Sequence, residues 1–76
     1  MNALRRKALG KIQYELEEIK VDVEALKEEE ESYFDNIPDN LMYGEKYNKA
    51  EEAIDNMEQA IENIDTSIND IEVAVQ

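Results

Sequence analysis

The sequence predicts an all-α protein: an antiparallel, coiled-coil-like helical hairpin that assembles into a four-helix bundle or a larger helical oligomer. Apolar residues repeat at alternating steps of three and four in both halves of the chain. This spacing places side chains on one stripe of a helix, not on one face of a strand. A connection that contains the only proline, Pro38, separates the two halves.

The second half carries the more regular pattern and predicts a helix over residues 45–75. Its apolar seam keeps the steps of three and four without a slip. The seam residues are Tyr47, Ala50, Ile54, Met57, Ile61, Ile64, Ile68, Ile71 and Val75. They occupy heptad positions a and d, which face a partner helix.

The first half predicts a helix over residues 2–34. Its seam residues are Leu9, Ile12, Leu16, Ile19, Val23 and Leu26. The same register continues to Glu30 and Tyr33, so a charged position interrupts the seam. Gly10 costs about 1 kcal/mol in a helix interior relative to Ala and predicts a break or bend. The glutamates of Glu28–Glu31 oppose the helix dipole, so we expect fraying at the C-terminal end.

Residues 35–45 form the predicted connection. Pro38 lacks an N–H group and restricts the residue before it, so a helix ends ahead of it. A short connection between helices of matched length predicts an antiparallel pair. The apolar residues near it predict a plug for the closed end of the hairpin: Phe34, Ile37, Leu41, Met42 and Tyr43. The candidate contact residues of this loop are Tyr33, Phe34, Asn36, Pro38, Asn40 and Leu41.

Self-association is predicted because two helices bury only one stripe each and leave apolar surface that an oligomer would cover. The candidate interface residues lie outside the seams: Tyr14, Val21, Ala53, Ala60, Ser67 and Ala74. We call the last four the small-residue row. The alternative interpretation is that this row only accommodates the first helix, and that Tyr14 and Val21 are scattered surface residues.

The composition predicts a single domain over residues 1–76 and argues against most kinds of catalytic and metal site. The chain has no cysteine and no histidine, which removes the commonest general base and neutral metal ligand. Its acidic pairs lack the spacing of a di-metal bundle or a calcium loop, and no glycine-rich phosphate loop occurs. We therefore predict a protein that is not an enzyme, with no cofactor and no metal site.

Charge and hydropathy restrict the kinds of partner and the cellular location that the sequence predicts. The 20 acids and 8 bases give a formal net charge of −12, which disfavours direct nucleic-acid binding. The chain has no run of about 20 apolar residues that could span a membrane. Glutamates follow the basic start where a signal peptide would need an apolar core. These observations predict a cytoplasmic protein.

Four basic residues precede every acid in the chain. This basic end comprises Arg5, Arg6, Lys7 and Lys11. One interpretation is charge balance with acids near the end of the second helix, such as Asp65, Asp70 and Glu72. The other is an anion site, in which symmetric copies bind a phosphorylated small ligand.

The loop carries a resemblance. Residues 33–41 read Tyr-Phe-Asp-Asn-Ile-Pro-Asp-Asn-Leu and precede the acidic helix. This stretch resembles the Phe-Asp-Asn-[Leu/Ile/Met]-Pro-[Glu/Asp]-[Asn/Ser]-[Leu/Ile] loop of small acidic two-helix proteins from bacteria, phages and mobile elements. The match spans most of the chain, but only the loop is specific. The resemblance implies a phage or mobile-element origin and carries over no activity.

Together these features predict a non-enzymatic, self-associating protein-interaction module. Its expected partners are a second copy of itself and a host protein. The alternative is a phage counter-defence protein, which either sequesters a nucleotide-like signal at the basic end or mimics DNA with its acids.

Overall fold

Two helices make up the fold: α1 spans Ala3–Asp35 and α2 spans Glu45–Val75. The structure is a computed structural model that describes residues 1–38, 40 and 44–76. The helices run antiparallel, because Phe34 packs on Tyr47 near the connection while Lys20 pairs with Asp65 farther along. The predicted helical hairpin is confirmed, with overall extents of 60 × 15 × 13 Å.

The N-terminal part of α1 is one continuous helix through Gly10, so the predicted break there is wrong. The cost of one glycine is small against the hydrogen bonds of a helix that extends on both sides of it. Asn2 forms the N-cap, and its Oδ1 accepts a hydrogen bond of 2.8 Å from the backbone N–H of Arg5. This bond satisfies one of the free donors of the first turn.

The last turn of α1 also remains helical, in spite of the charge of Glu28–Glu31, and the helix continues to Asp35. Asn36 caps it: its backbone N–H donates to the Tyr33 carbonyl, and its Nδ2 donates to the Ser32 carbonyl at 2.7 Å. These bonds occupy carbonyl groups that have no partner at a helix end. The helix is therefore intact to its last turn in the structure, and fraying there stays a prediction.

The seam of α2 lies where the sequence predicts it. Each of its nine residues is buried or half-buried against α1. Within the described residues, the buried side chains are Ala50, 2% exposed, and Ile68, 8% exposed. The heptad prediction for α2 is thus confirmed along its whole length.

The prediction of the α1 seam is only half correct. Leu9, Leu16 and Val23 are half-buried. Their predicted seam partners Ile12, Ile19 and Leu26 are exposed. The neighbouring row takes their place in the contact: Gln13, Lys20, Lys27 and Phe34. α1 is therefore turned by about 50° around its axis relative to the predicted seam.

Charge and aromatic packing explain this rotation of α1. Lys20 and Lys27 lay their aliphatic stems along the interface and extend their ammonium groups to acids of α2. Phe34 packs on Tyr47 with ring centroids 4.6 Å apart and an interplanar angle of 34°. Both contacts need the row of Lys20 and Phe34, and not the row of Ile19, to face α2.

The closed end is partly filled as predicted. Phe34 and Ile37 are half-buried there. Leu41, Met42 and Tyr43, the other residues expected to form the plug, lie outside the described residues. Neither helix holds a segment long and apolar enough to cross a bilayer, as far as the described residues were searched.

Candidate protein-interaction surface

Ion pairs define one long side of the hairpin, which we call the charged side. Lys20 Nζ lies 2.7 Å from Asp65 Oδ1. Lys27 Nζ lies 3.5 Å from Glu58 Oε1 and 3.4 Å from Glu31 Oε1. These lysines thus join α1 to α2 along the charged side.

The ion pairs raise the pKa values of both Lys20 and Lys27. The hydrogen bond to Asp65 raises the pKa of Lys20 above its ordinary value of 10.5, against an opposing effect of burial. For Lys27 burial is the largest single effect and lowers the pKa. The hydrogen bonds and charges of Glu31 and Glu58 together outweigh it, so the pKa of Lys27 is also raised. Both ammonium groups are held in their charged form.

A cleft of about 280 Å³ lies at the loop end of the charged side. Its lining is mostly acidic: Glu31, Phe34, Asp35, Glu51, Ile54, Asp55 and Glu58. Among the described residues, no three acids come together in an arrangement that could hold a metal ion. The cleft therefore offers negative charge without a defined set of ligands.

The opposite side of the hairpin exposes large apolar side chains of α1. We call Ile12, Ile19, Leu26 and Tyr33 the apolar row. Their exposed fractions are 45%, 49%, 58% and 48%. Successive members are seven residues apart, so they form a nearly straight line along the helix, with about 10.5 Å between neighbours. Sequence reasoning assigned three of them to the α1 seam and so missed this surface.

The small-residue row of α2 lies on the same side as the apolar row. A second cleft, of about 230 Å³, shows this, because it is lined by Tyr33 and by Lys46. Tyr33 is the last member of the apolar row, and Lys46 lies seven residues before Ala53. The two rows therefore share one side, which we call the apolar side.

The second cleft contains several of the predicted loop contacts: Tyr33, Asn36 and Pro38 line it together with Ile37 and Lys46. The Asn36 side chain is already engaged, since it donates to the Ser32 carbonyl. The other predicted loop contacts lie elsewhere. Phe34 lines the acidic cleft on the charged side and Asn40 is exposed, while Leu41 is outside the described residues.

The predicted oligomer interface is divided between the two sides. Tyr14 and Val21 are exposed and share a helical row with Asp35, which lines the acidic cleft. They therefore belong to the charged side, away from the small-residue row. Within that row Ala53 and Ala60 are half-buried beside α1, while Ser67 and Ala74 are exposed. The structure does not bring the two predicted sets together on one surface.

The basic end lies at the open end of the hairpin. Arg6 Nη1 donates a hydrogen bond of 2.6 Å to the Met1 carbonyl, and Lys11 Nζ lies 3.9 Å from Glu15 Oε1. Asp65, one of the acids expected to balance the basic end, pairs with Lys20 instead. In the part of the chain that the structure describes, no carboxylate lies within 4.0 Å of the charged groups of Arg5, Arg6 or Lys7.

The sequence contains a signal for the observed rotation of α1 about its axis. Lys20 and Lys27 are seven residues apart, as are Glu58 and Asp65. In an antiparallel hairpin such rows of opposite charge can pair directly, which favours the observed rotation of α1.

Comparison of the chain with protein-family models, with curated proteins and with solved structures gives no match.

Proposed function

We propose that this protein is a non-enzymatic, self-associating helical-hairpin module that acts by binding protein through its apolar side. One observation carries the proposal: the apolar row exposes four large side chains in a line on a chain of only 76 residues. A line of exposed large apolar side chains of this kind is typical of protein interaction sites. The net charge of −12 opposes non-specific contacts between chains.

The energetics of a small hairpin support self-association. Burying one large apolar side chain contributes roughly 1.5–3 kcal/mol. Few side chains of the isolated hairpin are fully buried within the described residues. A partner on the apolar side therefore supplies a substantial part of the stabilisation that a chain of this length needs.

The proposed biological setting is that of a phage or mobile-element accessory protein. The support is the resemblance of the Phe34–Leu41 loop to the loop of small acidic two-helix proteins from such sources. In that setting the second cleft, with Tyr33 and Pro38 exposed at its edge, offers a contact site for a host protein.

The proposal is tested by molar mass. Ile19→Glu places a carboxylate in the middle of the apolar row, and we expect light scattering to report the 8.8 kDa of a single chain. The unchanged protein should show a larger mass that rises with protein concentration. Burial of an unpaired carboxylate in an interface opposes association.

Val21→Glu is the matched control, because it makes the same kind of change on the charged side of the same helix. It should keep the mass of the unchanged protein. Circular dichroism checks that both variants remain helical. Self-association through the apolar side is wrong if the unchanged protein stays at 8.8 kDa at every concentration, or if both variants lower the mass equally.

A further inference from the structure

We propose that a second copy of this chain covers the apolar side in an antiparallel arrangement, so that the basic end of each protomer lies over the acidic loop end of the other. This inference rests on the proposed function and names the partner, its direction and the role of the basic end. The result is a dimer with four helices and two-fold symmetry.

The spacing of the apolar row suits an antiparallel partner. A two-fold axis that crosses the row midway between Ile19 and Leu26 brings Ile19 of each protomer opposite Leu26 of the other. It also brings Ile12 opposite Tyr33. Every large side chain of the row then meets another one, as a symmetric, self-complementary interface requires. The small side chains of Ala53 and Ala60 let the α2 helices approach closely beside this contact.

Shape alone also permits a parallel two-fold pair, in which each apolar row lies over the partner's small-residue row. Charge distinguishes the two arrangements. The first 14 residues contain no acid and four bases, whereas residues 28–35 contain five acids and no base. In a parallel pair the basic end lies beside the partner's acids Asp70 and Glu72, but the two acidic loop ends lie together and repel each other. The antiparallel pair separates the loop ends and places each of them under the basic end of the other protomer, which favours that arrangement.

Arg5 is the basic residue best placed for this role. It lies seven residues before Ile12, so it continues the apolar row toward the open end of the hairpin. In the antiparallel pair it extends beyond the partner's Tyr33 and over the partner's loop end. No acid of its own protomer, within the described residues, pairs with it.

Disulfide cross-linking tests the direction of the two protomers. The chain has no cysteine, so Ile12→Cys and Tyr33→Cys each introduce a single thiol. We mix the two variants in equal amounts, oxidise them mildly and identify the covalent dimers by mass spectrometry. The antiparallel pair predicts that the mixed Ile12→Cys with Tyr33→Cys dimer dominates over both like-with-like dimers. Val21→Cys on the charged side should cross-link slowly.

A charge reversal tests the role of the basic end. Arg5→Glu should weaken the dimer by about tenfold in Kd, measured by analytical ultracentrifugation, because two symmetric contacts reverse sign. Lys7→Glu is the matched control. It makes the same change of sign two residues away, on a row that faces away from the apolar side, and should leave the Kd unchanged.

The outcomes separate this inference from the proposed function. Like-with-like disulfides in a dimeric protein, or equal effects of Arg5→Glu and Lys7→Glu, overturn the antiparallel arrangement and leave self-association intact. A chain that remains a monomer at every concentration overturns both.

Discussion

Gly10 illustrates what a single residue contributes to α1. It lies in the helix interior, and a Cβ atom added there would meet no other heavy atom within 4 Å. The backbone is already helical, so the flexibility of glycine has no evident use at this position. It only increases the conformational freedom of the unfolded chain.

Gly10→Ala should therefore raise the free energy of unfolding by about 1 kcal/mol. The measurement is urea unfolding followed by circular dichroism at one fixed protein concentration. Ala25→Gly is the reverse control at another exposed position of α1, and it should lower the free energy of unfolding by a similar amount. A loss of stability in Gly10→Ala would show that the helix does not run continuously through this position in solution.

Individual residues also show where prediction from sequence reaches its limit. The caps at Asn2 and Asn36 involve only nearby backbone groups, and such local chemistry can be predicted from the sequence. The side of the hairpin on which Tyr33 and Phe34 lie cannot be predicted locally. These neighbours line different clefts because the rotation of α1, set by distant residues, decides their directions.

At the scale of the helices, the heptad pattern predicts α2 completely and α1 in part. In α2 both seam positions are uniformly apolar, so only one stripe can face a partner. In α1 the row of Leu9, Leu16 and Val23 has an apolar row on one flank and a lysine row on the other. Hydrophobic spacing alone favours the apolar flank. The acids of α2 favour the lysine flank, and sequence reasoning that did not pair the two helices gave them no weight.

The ion pairs of Lys20 and Lys27 with acids of α2 make the packing of the helices sensitive to high pH. The pKa values of Lys20 and Lys27 are raised above 10.5 in the folded state. Their contribution to stability is therefore fully present below pH 10.5 and is lost as the pH rises through the folded-state values. We expect the thermal midpoint to be lower at about pH 12 than at about pH 9, with the decrease lying above the ordinary lysine pKa.

A double variant isolates this effect from the titration of other groups. Lys20→Gln combined with Lys27→Gln should be less stable than the unchanged protein at the lower pH, and should lose less on going to the higher pH. An identical decrease in both proteins would assign the pH dependence to groups other than these two lysines.

At the scale of the whole molecule, the hairpin is long and thin. Its radius of gyration is 17.4 Å, against about 11 Å for a compact domain of this length. Much apolar surface of α1 therefore remains accessible to solvent, and the net charge of −12 adds self-repulsion. Folding and association should be coupled in such a molecule.

We accordingly expect the thermal midpoint of the unchanged protein to rise with protein concentration, because a partner that binds only the folded state stabilises it by mass action. The midpoint of Ile19→Glu should be lower and independent of concentration. Differential scanning calorimetry at several concentrations measures both. A midpoint independent of concentration in the unchanged protein would mean that the hairpin is stable without a partner.

The contact between the rings of Phe34 and Tyr47 also sets an order for folding. Their contact closes only residues 35–46, whereas the Lys20–Asp65 pair closes residues 21–64. The shorter closure costs about 1 kcal/mol less chain entropy. The hairpin should therefore form first at its connection and zip toward its two termini. Amide hydrogen exchange should then be slowest near the rings and fastest toward the open end, where residues 1–8 are all exposed.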